Sequence, residues 1–186
     1  GHADAELNDL GHAQAVAVAD QLAALRPGLL WTSDLSRAAT TAAYVAKACG
    51  LEPVEDARLR EYSLGPREGL LHSDYAVAHP EEFATFRSGH FDIVPGGEKT
   101  PEVAARMSAA LGDLLDLTPP GGVSVAVSHG AALKVAIATL LGWEVPQART
   151  LGVLDNCGWT LLRESHGDGR LRLAAYNRVA SLSEAP

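Results

Sequence analysis

The sequence predicts an α/β fold, a three-layer α/β/α sandwich on a mainly parallel central sheet. Three observations carry that expectation. Short apolar runs of strand character alternate with longer segments of helical periodicity, two strand ends run straight into helix starts, and Gly or Pro punctuates the changes of element. Connections between parallel strands in such folds are right-handed. A chain of 186 residues, 47% hydrophobic and 20% charged, can bury one substantial core. A single domain over residues 1–186 is therefore expected.

The elements follow in order. In "NDLGHAQAVAVADQLAALR" (residues 8–26) Leu10, Val18, Leu22 and Leu25 fall at helical spacings, with Asn8 or Asp9 as N-cap and Pro27-Gly28 as the stop. "LLWTSD" (residues 29–34) is a short apolar strand ending in polar cap residues, and "SRAATTAAYVAKACG" after it is a helix terminated by Gly50. Residues 51–70 hold too many Pro, Gly and charges for a long element, and their strand candidate is a short one near Pro53 and Val54. Residues 71–94 predict short helices, "PGGE" (residues 95–98) a turn, and residues 101–117 a helix. Residues 66–105 are expected to form an insertion that covers a site. "TPPGG" then breaks the chain before a buried strand, "VSVAV", and a helix, "GAALKVAIATLLG", ended by Gly142. Two further strand candidates, "GWTLLRE" and "RLRLAAYN", flank the turn "SHGDG".

Composition narrows the function. The 23 acidic against 15 basic side chains give a formal charge of -8, which disfavours nucleic acid and anionic membrane as partners. No run of about eighteen apolar residues is long enough to span a bilayer. Residues 1–10 lack the basic start and apolar core of a secretory leader. Cys49 and Cys157 are too few and too far apart for a disulfide framework or a zinc cluster. The expectation is a soluble, cytoplasmic protein; a homodimer is compatible with the sequence.

In open α/β sheets ligands bind where strand C-termini meet helix N-termini, because free backbone N–H groups and the helix dipole favour negative charge there. One such junction presents Ser33, Asp34, Ser36 and Arg37; the other presents Ser128, His129 and Gly130. Arg37 offers a planar fork for two phosphate oxygens, His129 a group that donates or holds charge near neutrality, and Gly130 a backbone that a ligand can approach. Between them "LREYSLGPREGL" supplies Glu61 and Glu68, either of which could act as a general acid beside a phosphate. His2, His12, His72, His79, His90 and His166 show no metal-like arrangement and read as surface residues, with His90 the one candidate to line a site. Tyr75, Phe83, Phe86 and Phe91 read as ordinary packing or as an apolar wall of the site. No G-x-S-x-G elbow, Walker loop or G-x-G-x-x-G fingerprint is present.

Five stretches in register, "GHADAELNDLG", "SDLSRAATTA", "LREYSLGPREG", "PGGE" and "VSHGAAL", resemble the histidine phosphatase superfamily, also called the phosphoglycerate mutase-like family. The resemblance covers nearly the whole chain and implies a sheet-centred α/β fold, no metal or organic cofactor, and phosphoryl transfer through a phosphohistidine. It implies that Arg37 is the second phosphate-clamping arginine, His129 the second histidine, Glu61 the proton donor to the leaving oxygen, and Gly1 a backbone contact to substrate. It also implies an Arg-His-Gly motif carrying the nucleophile on a strand ahead of Gly1. Tyr62 after the acid, Ala131 after His-Gly, and the short insertion between Gly69 and Gly97 resemble phosphatases more than mutases. The expected activity is hydrolysis of a small phosphomonoester; the alternatives are a phosphoglycerate mutase, a non-catalytic phosphate-binding regulatory protein and a structural module without ligand.

Overall fold

The computed structural model describes residues 1–165 and 167–182. Helix α1 (Asp9–Ala23) begins where the Asn8 side chain accepts the Gly11 N–H, and strand β1 (Leu29–Thr32) follows it. Helix α2 (Ser36–Cys49) ends at Gly50, whose φ of 67° closes the helix in the left-handed region that glycine enters without strain. Strand β2 (Val54–Glu55) comes next, then helices α3 (His72–Ala78), α4 (Pro80–Arg87) and α5 (Thr100–Leu117). The chain continues through strand β3 (Ser124–Val127), helix α6 (Gly130–Leu140), a short helix α7 (Val145–Ala148) not expected from the sequence, and strands β4 (Trp159–Glu164) and β5 (Leu171–Arg178).

Strands β2, β1 and β3 form a parallel sheet in that order, with Thr32 of β1 opposite Glu55 and Val127. Alternation along β1 sets the layers, because successive side chains leave a strand on opposite faces. Leu30 packs with Val125 against Val18, Ala19 and Leu22 of α1 and Val45 of α2. Trp31 points to the other face, into a cluster with Leu59, Val103, Met107 and Leu114, and with Ala132 and Ala136 of α6. Helices α1 and α2 thus cover one side of the sheet and α5 and α6 the other.

Helix α1 differs from its sequence reading at Leu10, which is 53% exposed. The buried face is instead Gly11, Ala15, Val18, Ala19 and Leu22, and it lies on α2, whose buried residues are Ala38, Ala42, Val45 and Ala46. Small side chains on both helices allow close approach. That seam turns the bulkier Leu10 outward.

Strands β4 and β5 pair antiparallel with each other, and among the described residues no ladder joins them to the parallel strands. The fold is therefore α/β with parallel and antiparallel strands flanked by helices. His166, in the turn between β4 and β5, lies outside the described residues. A cavity of about 2430 Å³ separates β3 from β4, bordered by both strands and by Val18 and Leu22 of α1, and it extends to the C-terminal end of β3. No helix among the described residues is long and apolar enough to cross a membrane.

Ala42 is fully buried at the α1–α2 seam, where extra methylenes have nowhere to go. Ala42→Leu is expected to lower unfolding stability by about 1–3 kcal/mol, read as a reduced urea midpoint; an unchanged midpoint would contradict the packing described.

Candidate active site

The register of β1 against β3 builds the centre of the site. Beyond the last pair, the Ser33 N–H donates to the Val127 carbonyl at 2.9 Å, which carries Ser33 alongside the first residues after β3. His129 Nε2 then lies 2.9 Å from Ser33 Oγ, with Ser33 fully buried and His129 8% exposed. The Leu35 N–H donates to the same Oγ at 3.3 Å, so the hydroxyl hydrogen is free for Nε2. In that arrangement the ring proton sits on Nδ1. Burial above all, then the positive charge of Arg37 and, less, that of Arg106, push the His129 pKa down to about 3. The imidazole is neutral at physiological pH, in a pocket whose neighbours favour an anion.

Arg37 occupies the first turn of α2. Its Nη1 donates to the Ala3 carbonyl at 3.0 Å and its Nη2 to the Gly1 carbonyl at 2.8 Å. Asp4 caps the same helix from the same segment: its carboxylate accepts the Ser36 N–H at 2.8 Å and the Ser36 hydroxyl at 2.6 Å. Residues 1–4 are thereby held across the start of α2. Asp34 turns away to an ion pair with Arg60, and hydrogen bonding to that guanidinium holds its carboxyl below the usual range. At the start of α6, a Cβ on Gly130 would meet no atom within 4 Å, so the space beside its backbone is open to a ligand.

Glu61 sits at the N-terminus of α6. Its Oε2 accepts the Ala131 N–H at 3.0 Å, and its Oε1 accepts the Ala132 N–H and the Tyr62 N–H, each at 2.9 Å. The loop that carries it is fixed by Arg106 of α5, which donates to the carbonyls of Arg58, Arg60 and Glu61 at 2.7 to 2.8 Å. Arg106 is itself oriented by Glu98 at 2.7 Å, and Glu98 also accepts the Ser63 N–H. Gly65 packs so tightly on the following turn that a Cβ would collide with the Gly96 carbonyl. Here the glycine is required by close approach as well as by its φ of 51°. Glu68, the other acid of this loop, spends its oxygens on the Leu64 N–H at 2.6 Å and the Ala3 N–H at 2.9 Å. It fastens residues 1–4 to the loop.

Arg37, Glu61, His129, Gly1 and Gly130 all line the same cavity, with Arg67 and Glu68. Three contributors escaped the sequence reading. His2, read as a surface residue, donates from Nε2 to the Glu61 carbonyl at 2.7 Å. Arg106 carried no signal beyond its position on a helix. Arg67, 6% exposed, lies within "GPREG", and its place in a glycine-rich loop beside the acid was the available cue. His90 is exposed, bonded to Ser88, and absent from the cavity lining. The aromatic residues pack on one another and on Arg67: Phe91 lies 4.9 Å from Tyr62 and 5.2 Å from Phe86, and the Arg67 guanidinium lies 3.6 Å from the Tyr75 ring. Phe83 is half-buried on α4. Among the described residues no group of three or more His, Cys, Asp or Glu could hold a metal ion.

The chain is similar to known proteins over nearly its whole length. The family model of the histidine phosphatase superfamily (branch 1) matches residues 1–177. A glucosyl-3-phosphoglycerate phosphatase of Mycobacterium tuberculosis is 34% identical over 196 residues, covering 98% of this chain and 88% of that protein. The native structure of mycobacterial glucosyl-3-phosphoglycerate phosphatase superposes with a TM-score of 0.88 at 35% identity, over 97% of this chain and 91% of the other. The probable phosphoglycerate mutase GpmB of Cronobacter sakazakii is 38% identical over 162 residues, covering 84% and 73% respectively.

The depressed His129 pKa has a consequence for stability. Between its folded value of about 3 and the ordinary 6.5 the unfolded chain binds the extra proton, so stability rises with pH through that window and falls on acidification. Carboxylates such as Asp34 and Glu98 act in the same direction only near and below their ordinary range. The melting temperature is expected to drop between pH 6.5 and 5, and His129→Gln is expected to flatten that drop; an equally steep drop in the variant would contradict the assignment.

Proposed function

Because the chain belongs to the histidine phosphatase superfamily, on its phosphatase branch, and is a hydrolase, we propose that it hydrolyses a small phosphomonoester through a phosphohistidine. The observation that carries this reading is the convergence of Arg37, His129 and Glu61 on one cavity at the C-terminal ends of β1 and β3. Charged phosphate oxygens compete well for the two Arg37 donors now held by neutral carbonyls. The neutral His129 ring donates to a third oxygen, and the arriving negative charge raises its proton affinity. The N-terminus of α6 adds its dipole. These groups stabilise charge on the transferring phosphoryl without a metal ion.

The nucleophile in this reading is the histidine of the Arg-His-Gly motif that the family likeness implies ahead of Gly1. Its imidazole nitrogen attacks phosphorus as the ester P–O bond breaks, and Glu61 passes a proton to the departing oxygen. Water then attacks the phosphohistidine, returning a proton to Glu61 and releasing inorganic phosphate and free histidine. Tyr62, where mutases carry arginine, is 2% exposed and hydrogen-bonded to Thr100, so that position presents no charge to the cavity. That favours water over a second hydroxyl as acceptor. The relative named for glucosyl-3-phosphoglycerate makes phosphoglycerate esters the first substrates to try.

Arg37→Ala and His129→Ala are each expected to cut kcat/KM for an aryl phosphate by about 100-fold or more while the far-UV spectrum stays unchanged. Near-normal turnover in either variant would overturn the roles given. Glu61→Gln is expected to slow alkyl phosphates, whose leaving groups need a proton, far more than aryl phosphates, and equal slowing would remove Glu61 as proton donor. Chelator is expected to leave the rate unchanged, and quenched turnover to yield an acid-labile phosphoenzyme.

A further inference from the structure

We infer that Ser33 is the positioning residue of His129: its hydroxyl donates to Nε2 and so leaves the ring proton on Nδ1, the nitrogen offered to the phosphoryl group. The inference rests on reading the cavity as a phosphomonoester site. Ser33 is fully buried, and a buried hydroxyl hydrogen needs an acceptor. Its Oγ takes the Leu35 N–H at 3.3 Å and stands 2.9 Å from His129 Nε2. Two proton assignments are open to this pair. If Nε2 carried the ring proton, Ser33 Oγ would accept twice, and its own hydrogen would lie in the core without a partner among the described residues. If Nε2 is the acceptor, each of these groups is satisfied. Nδ1 has no hydrogen-bond partner among the described residues, nor is it one of their buried polar atoms without a partner. It is thus the ring nitrogen in touch with the cavity that His129 lines.

The surroundings leave this task to Ser33. Ser128, the hydroxyl next to His129 in sequence, donates to the Leu59 carbonyl at 2.7 Å. The Thr32 hydroxyl donates to the Ser33 carbonyl at 3.0 Å, and Asp34 is committed to Arg60. A carboxylate against Nε2 would favour the imidazolium, whereas a hydroxyl leaves the ring neutral and still decides which nitrogen bears the proton. In a neutral ring that choice matters. The Nδ1–H tautomer donates to a phosphoryl oxygen, while the Nε2–H tautomer would set the Nδ1 lone pair against the same oxygen. Ser33 is itself placed by the sheet, through its N–H on the Val127 carbonyl at 2.9 Å. The pairing of β1 with β3 therefore reaches as far as the proton on His129.

The test uses the full-length enzyme with isotope-labelled histidine, read by nitrogen NMR at neutral pH. The His129 signals, identified by their loss in His129→Gln, are expected to show a protonated Nδ1 and an unprotonated Nε2 in the wild type, and a mixture of both tautomers in Ser33→Ala. Turnover of p-nitrophenyl phosphate is expected to fall by about 10- to 100-fold in Ser33→Ala, mainly through kcat. Ser33→Thr, which keeps the hydroxyl, is expected to retain the single tautomer and most of the rate. A protonated Nε2 in the wild type would overturn the inference whether or not the variants fold. An unchanged tautomer in Ser33→Ala, with or without a loss of rate, would also overturn it and leave Ser33 a structural role. Either result with p-nitrophenyl phosphate still hydrolysed by the wild type counts against this inference alone. No turnover of any phosphate ester by the wild-type enzyme would overturn the proposed function and this inference with it.

Discussion

The parallel register of β1 on β3 is the constraint on which the site depends. Pairing of Thr32 with Val127, continued by the Ser33 N–H on the Val127 carbonyl, brings Ser33 and His129 together although 96 residues separate them. The same register starts α2 and α6 side by side, so Arg37 and the N-terminus of α6 open into one cavity. A slip of one residue would exchange the faces of β1. Trp31 would leave the cluster beneath α5 and α6, and Ser33 would lose its histidine.

The chain also solves an electrostatic problem, that of attracting an anion to a molecule of net charge -8. Several arginines near the site are neutralised: Arg58 pairs with Asp56 and Asp113, Arg60 with Asp34, and Arg106 with Glu98. Arg37 and Arg67 are treated differently. The first bonds two neutral carbonyls, and the second is stacked on aromatic rings with its one nearby carboxylate held at 3.9 Å. Arg37 is thereby left without a carboxylate partner on the cavity it lines, and the paired arginines are spent on structure. Burial of His129 belongs to the same design, because a neutral ring avoids the repulsion that a third fixed cation would add.

The acid loop is rigid for a different reason. It has little regular structure, yet the backbone around Glu61 is fastened by an arginine on α5, by Glu98, and by the contact of Gly65 with the Gly96 carbonyl. In the proposed role of proton donor Glu61 gains from such support, since misplacement by an ångström costs heavily in rate. His2 and Glu68 extend the support to residues 1–4, which in turn occupy Arg37. Glu61 and Arg37 are therefore linked through residues 1–4.

Sequence by itself determined the layered α/β class, the strand-to-helix junctions and the Gly50 stop, and it offered Arg37, His129 and the two acids Glu61 and Glu68 as candidate groups. Those features are local: a cap, a turn or a short motif carries its physical cause within a few residues. Tertiary structure alone decided that Leu10 faces solvent, because the α1–α2 seam is built from small residues contributed by both helices. It alone placed His2 and Arg106 around Glu61, the latter from 45 residues away, and surrounded Arg67 with rings from α3 and α4. Hydrogen bonds and stacking between distant segments depend on how layers pack, and no periodicity along the chain records which long side chain reaches which partner.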